Sequence, residues 1–219
     1  MKKLILIMCV CILQALSSVP ASADPITLTF DETPPGLVSV TNPAAPVSAS
    51  PFLSSRGATF EFRVNNLLSA DARYGAAGPG NFTFVQGRVL EGDAAGILTL
   101  TFTTPTRLLG FGVALTSANT LPSGLTVELF DSSLQSLGLI GVSTSQLSPF
   151  PLSEGQFNYI GMPISRAVLN FNEGSLAFPR RFAVDNLTYE PIPEPATLVL
   201  LGTGLVGVAA RARRKHRKV

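Results

Sequence analysis

Tryptophan is absent from this chain of 219 residues, and cysteine and histidine are almost absent, at two and one. Their placement matters more than their number. Cys9 and Cys11 lie in an apolar run near the start. His216 and the four lysines (Lys2, Lys3, Lys215, Lys218) lie at the extreme ends. Residues 24–190 therefore carry no Cys, His or Lys. No disulfide can staple that stretch, so it must fold on its hydrophobic core, and its length suffices for that. Ser–His and Cys–His nucleophile pairs, lysine Schiff bases and imidazole or thiolate metal sites are excluded from it. Positive charge is scarce as well. Residues 24–190 hold eight arginines against thirteen carboxylates, although the whole chain has a formal net charge of +2. An acidic body gives no electrostatic reason to bind nucleic acid.

The two ends are built differently from the middle. Lys2 and Lys3 precede the ten apolar residues Leu4–Leu13, and Ala21-Ser22-Ala23 follows with small residues at the first and third positions. This is the three-part layout of a secretory signal peptide. The apolar run is too short for a permanent span, which takes about 20 residues. Cleavage is expected after Ala23, with Ala21 the alternative, so residues 1–23 are removed by signal peptidase once the export machinery has engaged them. Neither Cys9 nor Cys11 has the small residues before it that a lipoprotein signal needs.

At the other end, Pro191-Ile192-Pro193-Glu194-Pro195 is stiff and extended, because proline fixes its own φ and restricts the residue before it. Residues 196–210 (ATLVLLGTGLVGVAA) carry no charge, and Arg211, Arg213, Arg214, Lys215, Arg217 and Lys218 close the chain. A basic cluster beside an apolar segment stays on the cytoplasmic side. The signal peptide independently sends the preceding residues to the opposite side. As a helix, residues 196–210 rise ~22 Å, short of a ~30 Å hydrocarbon core, which suits a segment held briefly in the inner membrane. Gly202, Gly204 and Gly207 match G-x-G-x-x-G, but no acidic residue follows and no βαβ unit surrounds them, so no dinucleotide site is read here.

Pro193-Glu194-Pro195, the apolar span and the basic end, in that order at the C-terminus, resemble the PEP-CTERM family of sorted proteins. The resemblance covers about the last thirty residues (191–219). It implies recognition by an exosortase, a membrane-embedded cysteine protease, with cutting at or near Pro-Glu-Pro. It also implies a Gram-negative cell surface, extracellular matrix or biofilm as destination. A plain C-terminal anchor, with the same topology and no cutting, is the alternative.

Between the ends, residues 24–190 read as all-β. Alternation with period two marks Ile26–Phe30, Ala58–Val64, Gly96–Phe102, Leu109–Leu115, Leu125–Phe130, Ala167–Phe171 and Phe182–Tyr189. Weaker alternation marks Asn81–Val85, Leu137–Val142 and Phe157–Met162. Gly, Pro, Ser and Asn clusters separate them, including Thr103–Thr106, and Pro34–Ser55 reads as a long surface loop. About ten short strands with turn chemistry between them predict one antiparallel β-sandwich or jelly-roll-like domain.

The last strand contains an irregularity. Phe182 and Val184 share one face, and Leu187 and Tyr189 share one face, yet Val184 and Leu187 are three residues apart. Both pairs can face the core only if Asp185-Asn186 absorbs an extra residue as a β-bulge. A solvated bulge is the first reading of Asp185 and Asn186, and a turn the first reading of Asp31-Glu32. In the second reading these four residues resemble the terminal-strand Ca²⁺ sites of jelly-roll carbohydrate-binding modules, where oxygen ligands hold a structural ion. No other cofactor is expected. Asp71, Glu91, Asp93, Glu128 and Glu154 are scattered and read as solvated charge. A carboxylate-only hydrolase is the remote alternative to a non-enzymatic protein. Exopolysaccharide binding is the nearer alternative, with Tyr74, Tyr159 and Tyr189 available for stacking and Asn65, Asn66, Asp71, Arg73 and Tyr74 forming a polar cluster.

Overall fold

A computed structural model describes residues 23–32, 38–40, 49–78, 82–172 and 179–192. Pro193, Glu194, Pro195, the apolar segment 196–210, the basic cluster 211–218 and most of the signal segment, Ala21 included, lie outside the described residues. Asp24–Pro191 makes one compact unit. Among the described residues no helix is long and apolar enough to cross a membrane.

The described chain is almost wholly strand, and every pairing is antiparallel. The elements run β1 (Ile26–Leu28), β2 (Val38–Ser39), α1 (Ser50–Ser55), β3 (Ala58–Val64), β4 (Leu67–Leu68), β5 (Arg73–Ala77), β6 (Arg88–Asp93), β7 (Gly96–Leu115), β8 (Leu121–Phe130), β9 (Ser136–Gln146), β10 (Ser153–Phe171) and β11 (Arg181–Pro191). Along the sheet the order is β2-β5-β6-β11-β7-β10-β8-β9, with β1 paired to β11 and the β3–β4 hairpin paired to β7.

Two long strands organise the sheet. The first half of β7 pairs with β3, and its second half pairs with β11. The partner changes at Thr103–Thr106, which the sequence suggested was a turn. The chain instead passes through it as one strand, and Thr106 ties the point down. Its buried hydroxyl lies 2.7 Å from the carbonyls of both Leu108 and Glu190, which share its single proton, and it accepts from the Glu190 amide. In the same way Phe157–Met162 and Ala167–Phe171, expected as two strands, are one strand, β10, with register shifts between Ile160 and Arg166.

Side chains from both halves of the sheet meet in one buried cluster. Phe171 of β10 stacks on Phe182 of β11 with ring centroids 4.0 Å apart, and Phe62 of β3 reaches the same ring at 5.7 Å. Phe102 of β7 packs on Tyr189 at 5.2 Å. Each such large side chain buried contributes roughly 1.5–3 kcal/mol, and ring pairs add about 0.5–1.5 kcal/mol. That core replaces the missing disulfides.

Three further differences from the sequence reading have plain causes. Pro34–Ser55 is not a featureless loop: it contains β2 and α1. Pro51 suits the first turn of α1, Leu53 plugs the core, and Gly57 at φ 90° ends the turn. Asn65 and Asn66 are turn residues rather than a ligand cluster. Their φ angles of 50° and 63° are what a tight two-residue hairpin between β3 and β4 demands. Asn81–Val85 is not a strand over its described residues, Phe82–Val85.

Candidate functional site

The bulge expected in the last strand is present and sets up the site. Phe182, Val184, Leu187 and Tyr189 all lie in the main core. The register of β11 against β7 slips between Asp185 and Thr188, and Asn186 takes φ 53°. Asp185 then points to the opposite, outer face of the sheet, yet it is not solvated: it is 1% exposed.

What buries it is the segment Phe82–Gly87, which crosses that outer face ahead of β6. Val85 packs there with Ala76, Val89, Ala114 and Ala183 in a small second cluster. Two carboxylates grip the backbone amides of this segment, and a third holds the first amide of β6 just after it. Glu154, on β10 and 4% exposed, accepts N–H bonds from Thr83 (3.1 Å), Phe84 and Val85 (2.8 Å). Asp185 accepts from Gln86 N–H at 2.8 Å, and Asp31 accepts from Arg88 N–H at 3.0 Å. Asn186 adds a bond from its Nδ2 to the Phe84 carbonyl. Anionic acceptors make the stronger class of hydrogen bond, so this clasp substitutes for the strand pairing the segment does not have.

Burial pushes the Asp185 carboxyl up to about 6. The amides of Gln86 and Asn186 pull it down, and the charges of Asp31 and Glu32 push it up again. Burial also opposes ionisation of Glu32, but bonds from Thr29 N–H and Tyr74 O–H outweigh it and hold the carboxyl below its ordinary value. Burial, with the Glu32 bond next, drives the Tyr74 hydroxyl far above the usual phenol range. Asp31, Glu32, Asp185 and Asn186 are thus brought into one neighbourhood. As a Ca²⁺ ligand set they fit poorly. Both oxygens of Asp185 and of Glu32 are engaged by N–H or O–H donors. Among the described residues no group of three or more His, Cys, Asp or Glu is placed to hold a metal.

Beyond the clasp the outer face is open. Successive outward positions of β7 are Gly110 and Gly112, so the sheet has no side chains there. Across them stand Asn158 and Gln156 of β10 on one side and Thr188 and Asn186 of β11 on the other. The result is a trough of about 510 Å³, stopped at Gly112 by the Phe84 backbone. Among the described residues no charged side chain lines it. The side-chain amides of Gln156 and Asn158 are exposed and have no hydrogen-bond partner among the described residues. A second hollow of about 450 Å³ lies over β3, β7 and β10. It is lined by Thr59, Glu61, Thr99, Thr101 and Arg166, whose guanidinium stacks on Phe130 at 4.3 Å.

Of the three tyrosines singled out from sequence for sugar stacking, Tyr159 lines the trough, while Tyr74 and Tyr189 are placed elsewhere. Tyr74 and Tyr189 are core, their hydroxyls donating to Glu32 and to the Arg56 carbonyl. Tyr159 lines the trough between Asn158 and Ile160, packs against the core and donates to the Met162 carbonyl. Asp71 and Glu91 are not independent surface charges: both hold Arg181, at 2.7 and 2.6 Å. Asp93 caps a turn at Ala95 N–H, and Glu128 accepts from Ser136.

With this geometry in place, the end of the last strand is the informative boundary. β11 stops at Pro191. Residues 191–215 match the PEP-CTERM protein-sorting motif. The motif implies processing by an exosortase and indicates export and sorting to the cell surface. No curated protein is similar to the chain in sequence. Several solved structures resemble it distantly. The enzymatically active domain of Bacteriophage CBA120 tailspike protein 4 shares 14% identity over 69% of this chain and 21% of its own, with a TM-score of 0.35. A xylan-binding domain from Paenibacillus barcinonensis shares 11% over 80% of this chain and 99% of its own, TM-score 0.33. The K2 cleaved adhesin domain of Lys-gingipain shares 10% over 75% and 97%, TM-score 0.37. The chain thus spans about a fifth of the tailspike domain. At these TM-scores none of the three carries an argument about ligand or activity.

Proposed function

We propose that this is an exported protein whose signal peptide (1–23) is removed, and whose tail is cut near Pro193-Glu194-Pro195 by an exosortase. Its β-sandwich body (24–190) then serves the cell surface, extracellular matrix or biofilm without catalysing a reaction. Until the cut, residues 196–210 sit in the inner membrane with the basic tail cytoplasmic.

The observation that carries this reading is the motif match at residues 191–215 abutting the last strand, which ends at Pro191. A cut at 193–195 leaves every described strand whole. The non-enzymatic reading rests on the body's lack of Cys, His and Lys and on the structural engagement of three of its carboxylates. Asp71 and Glu91 neutralise Arg181, and Glu154 holds three amides. A hydrolase needs two carboxyl groups facing one cleft, and among the described residues no carboxylate lines the trough.

The test is the intact mass of the protein recovered from its host, with and without the exosortase. A mass ending near Pro195, seen only when the protease is present, supports the proposal. A mass retaining Arg211–Val219 in both strains makes the chain a permanently anchored surface protein and overturns it.

A further inference from the structure

The trough over Gly110 and Gly112 has a chemistry that selects its occupant. Its floor is a strand already paired on both sides, Gly110 with Asn158 and Thr188, Gly112 with Gln156 and Asp185. An extended peptide cannot add there as another strand, because no edge is free. Among the described residues no charged side chain lines the walls, so an anionic or cationic ligand entering the trough would lose hydration without a counter-charge from them.

What the walls do offer is amide and hydroxyl groups. Gln156 and Asn158 each present a carbonyl acceptor and two N–H donors, unpartnered among the described residues. Thr188 stands opposite, its hydroxyl shared with Thr27 and the Asn186 carbonyl. Groups that are donor and acceptor together match the hydroxyls of a sugar, which are donor and acceptor together. From Leu108 to Gly112 the floor runs ~13 Å at about 3.3 Å per residue, longer than one sugar ring. The volume of about 510 Å³ lies in the range of ligand sites. Ile160, 82% exposed beside Asn158, gives an apolar surface at the far end from the Phe84 stop.

We infer that this trough binds a neutral polysaccharide, with Gln156 and Asn158 reading its hydroxyls and Gly110 and Gly112 leaving room for its rings. The inference does not depend on how the tail is processed, so its failure and the failure of the sorting proposal are separate results.

The test is affinity electrophoresis of the full chain in mild detergent, in native gels containing galactomannan, hydroxyethyl cellulose or dextran, and in a parallel gel containing polygalacturonate. Retardation by at least one neutral polymer is expected. The double substitution Gln156→Ala/Asn158→Ala should weaken it about tenfold, two hydrogen bonds' worth. Gly110→Ala, which raises the floor by a methyl, should weaken it while leaving the thermal unfolding curve unchanged. Arg166→Ala, at the other hollow, should leave it intact. Retardation by none of the neutral polymers overturns the inference. So does retardation by polygalacturonate alone, or retardation that Arg166→Ala abolishes and Gln156→Ala/Asn158→Ala does not. Those last two results would move ligand binding to the Arg166 hollow.

Discussion

Replacing Glu154 with alanine is expected to be among the most damaging single changes at the outer face, and its size can be worked from the clasp. Glu154 is 4% exposed and accepts from three consecutive amides, Thr83, Phe84 and Val85. Burying a carboxylate is itself costly, and exchanging a whole buried ionic arrangement for apolar groups is often neutral. Glu154→Ala is a different operation. It removes the acceptor and leaves the donors in place, and a buried donor without a partner costs about 1–3 kcal/mol. Val85 N–H is buried and pays in full; Thr83 and Phe84 are partly reachable by water and pay less. The total comes to about 3–5 kcal/mol, against a typical domain stability of about 5–15 kcal/mol. For a body of this size each kcal/mol moves Tm by about 2–4 °C, so a fall of about 10 °C is expected by circular dichroism. Glu154→Gln keeps one acceptor oxygen but turns an NH₂ toward an N–H, so it should lose roughly half as much. Faster proteolysis within residues 82–87 should accompany both. A Tm for Glu154→Ala within about 2 °C of the parent would show that the amides find other partners and that the clasp is not what holds the segment down.

How much of this was legible in the sequence depends on whether a strand has one wet face. β3, read as Ala58–Val64, has those bounds in the structure because its burial alternates along its whole length. The bulge at Asp185-Asn186 was legible because three-residue spacing between core pairs has few geometric solutions. β5 and β6 were missed for the converse reason. Tyr74 of β5 and Leu90 of β6 belong to the main core, while their neighbours Ala76 and Val89 belong to the second cluster on the other face. Strands buried on both sides lose the period-two signal. Phe82 and Phe84 produced that signal falsely, in a segment whose amides are satisfied by carboxylates instead of a partner strand. Glu154 could not have been found from sequence, since nothing in an isolated Glu announces three amides about seventy positions away. The trough was half legible: Gly110 and Gly112 alternate visibly in LGFGVAL, but the walls come from β10 and β11, and only the pairing registers bring them together.

Two more perturbations probe the same face. Asp185 has its carboxyl pushed up to about 6 by burial, above the ordinary carboxylate range near 3.9. The folded state therefore binds that proton more tightly than the unfolded one. Its contribution favours the fold below about pH 4 and is lost as pH rises to about 6, a loss of roughly 2–3 kcal/mol. Glu32, held below its ordinary value against burial by the Thr29 and Tyr74 bonds, acts in the opposite direction. Urea unfolding from pH 4 to 7 should show this decline in the parent and not in Asp185→Asn; equal slopes in the two would remove Asp185 as its source. The glycine pair gives the sharper contrast, because Gly110 and Gly112 are indistinguishable in sequence. A Cβ at Gly112 would lie 2.1 Å from the Phe84 carbonyl oxygen and 2.7 Å from its carbon. That is backbone, pinned by Glu154 and Asn186, so it cannot yield cheaply, and Gly112→Ala should cost about 3 kcal/mol. A Cβ at Gly110 would lie 3.1 Å from Asn158 Oδ1, the end of an exposed and movable side chain. Its cost should be offset by the about 0.5–1 kcal/mol that glycine loses inside a strand, leaving stability nearly unchanged. Thermal unfolding of the two variants side by side decides the matter: equal losses would mean that Phe82–Gly87 does not rest on Gly112, and the closed end of the trough would be open.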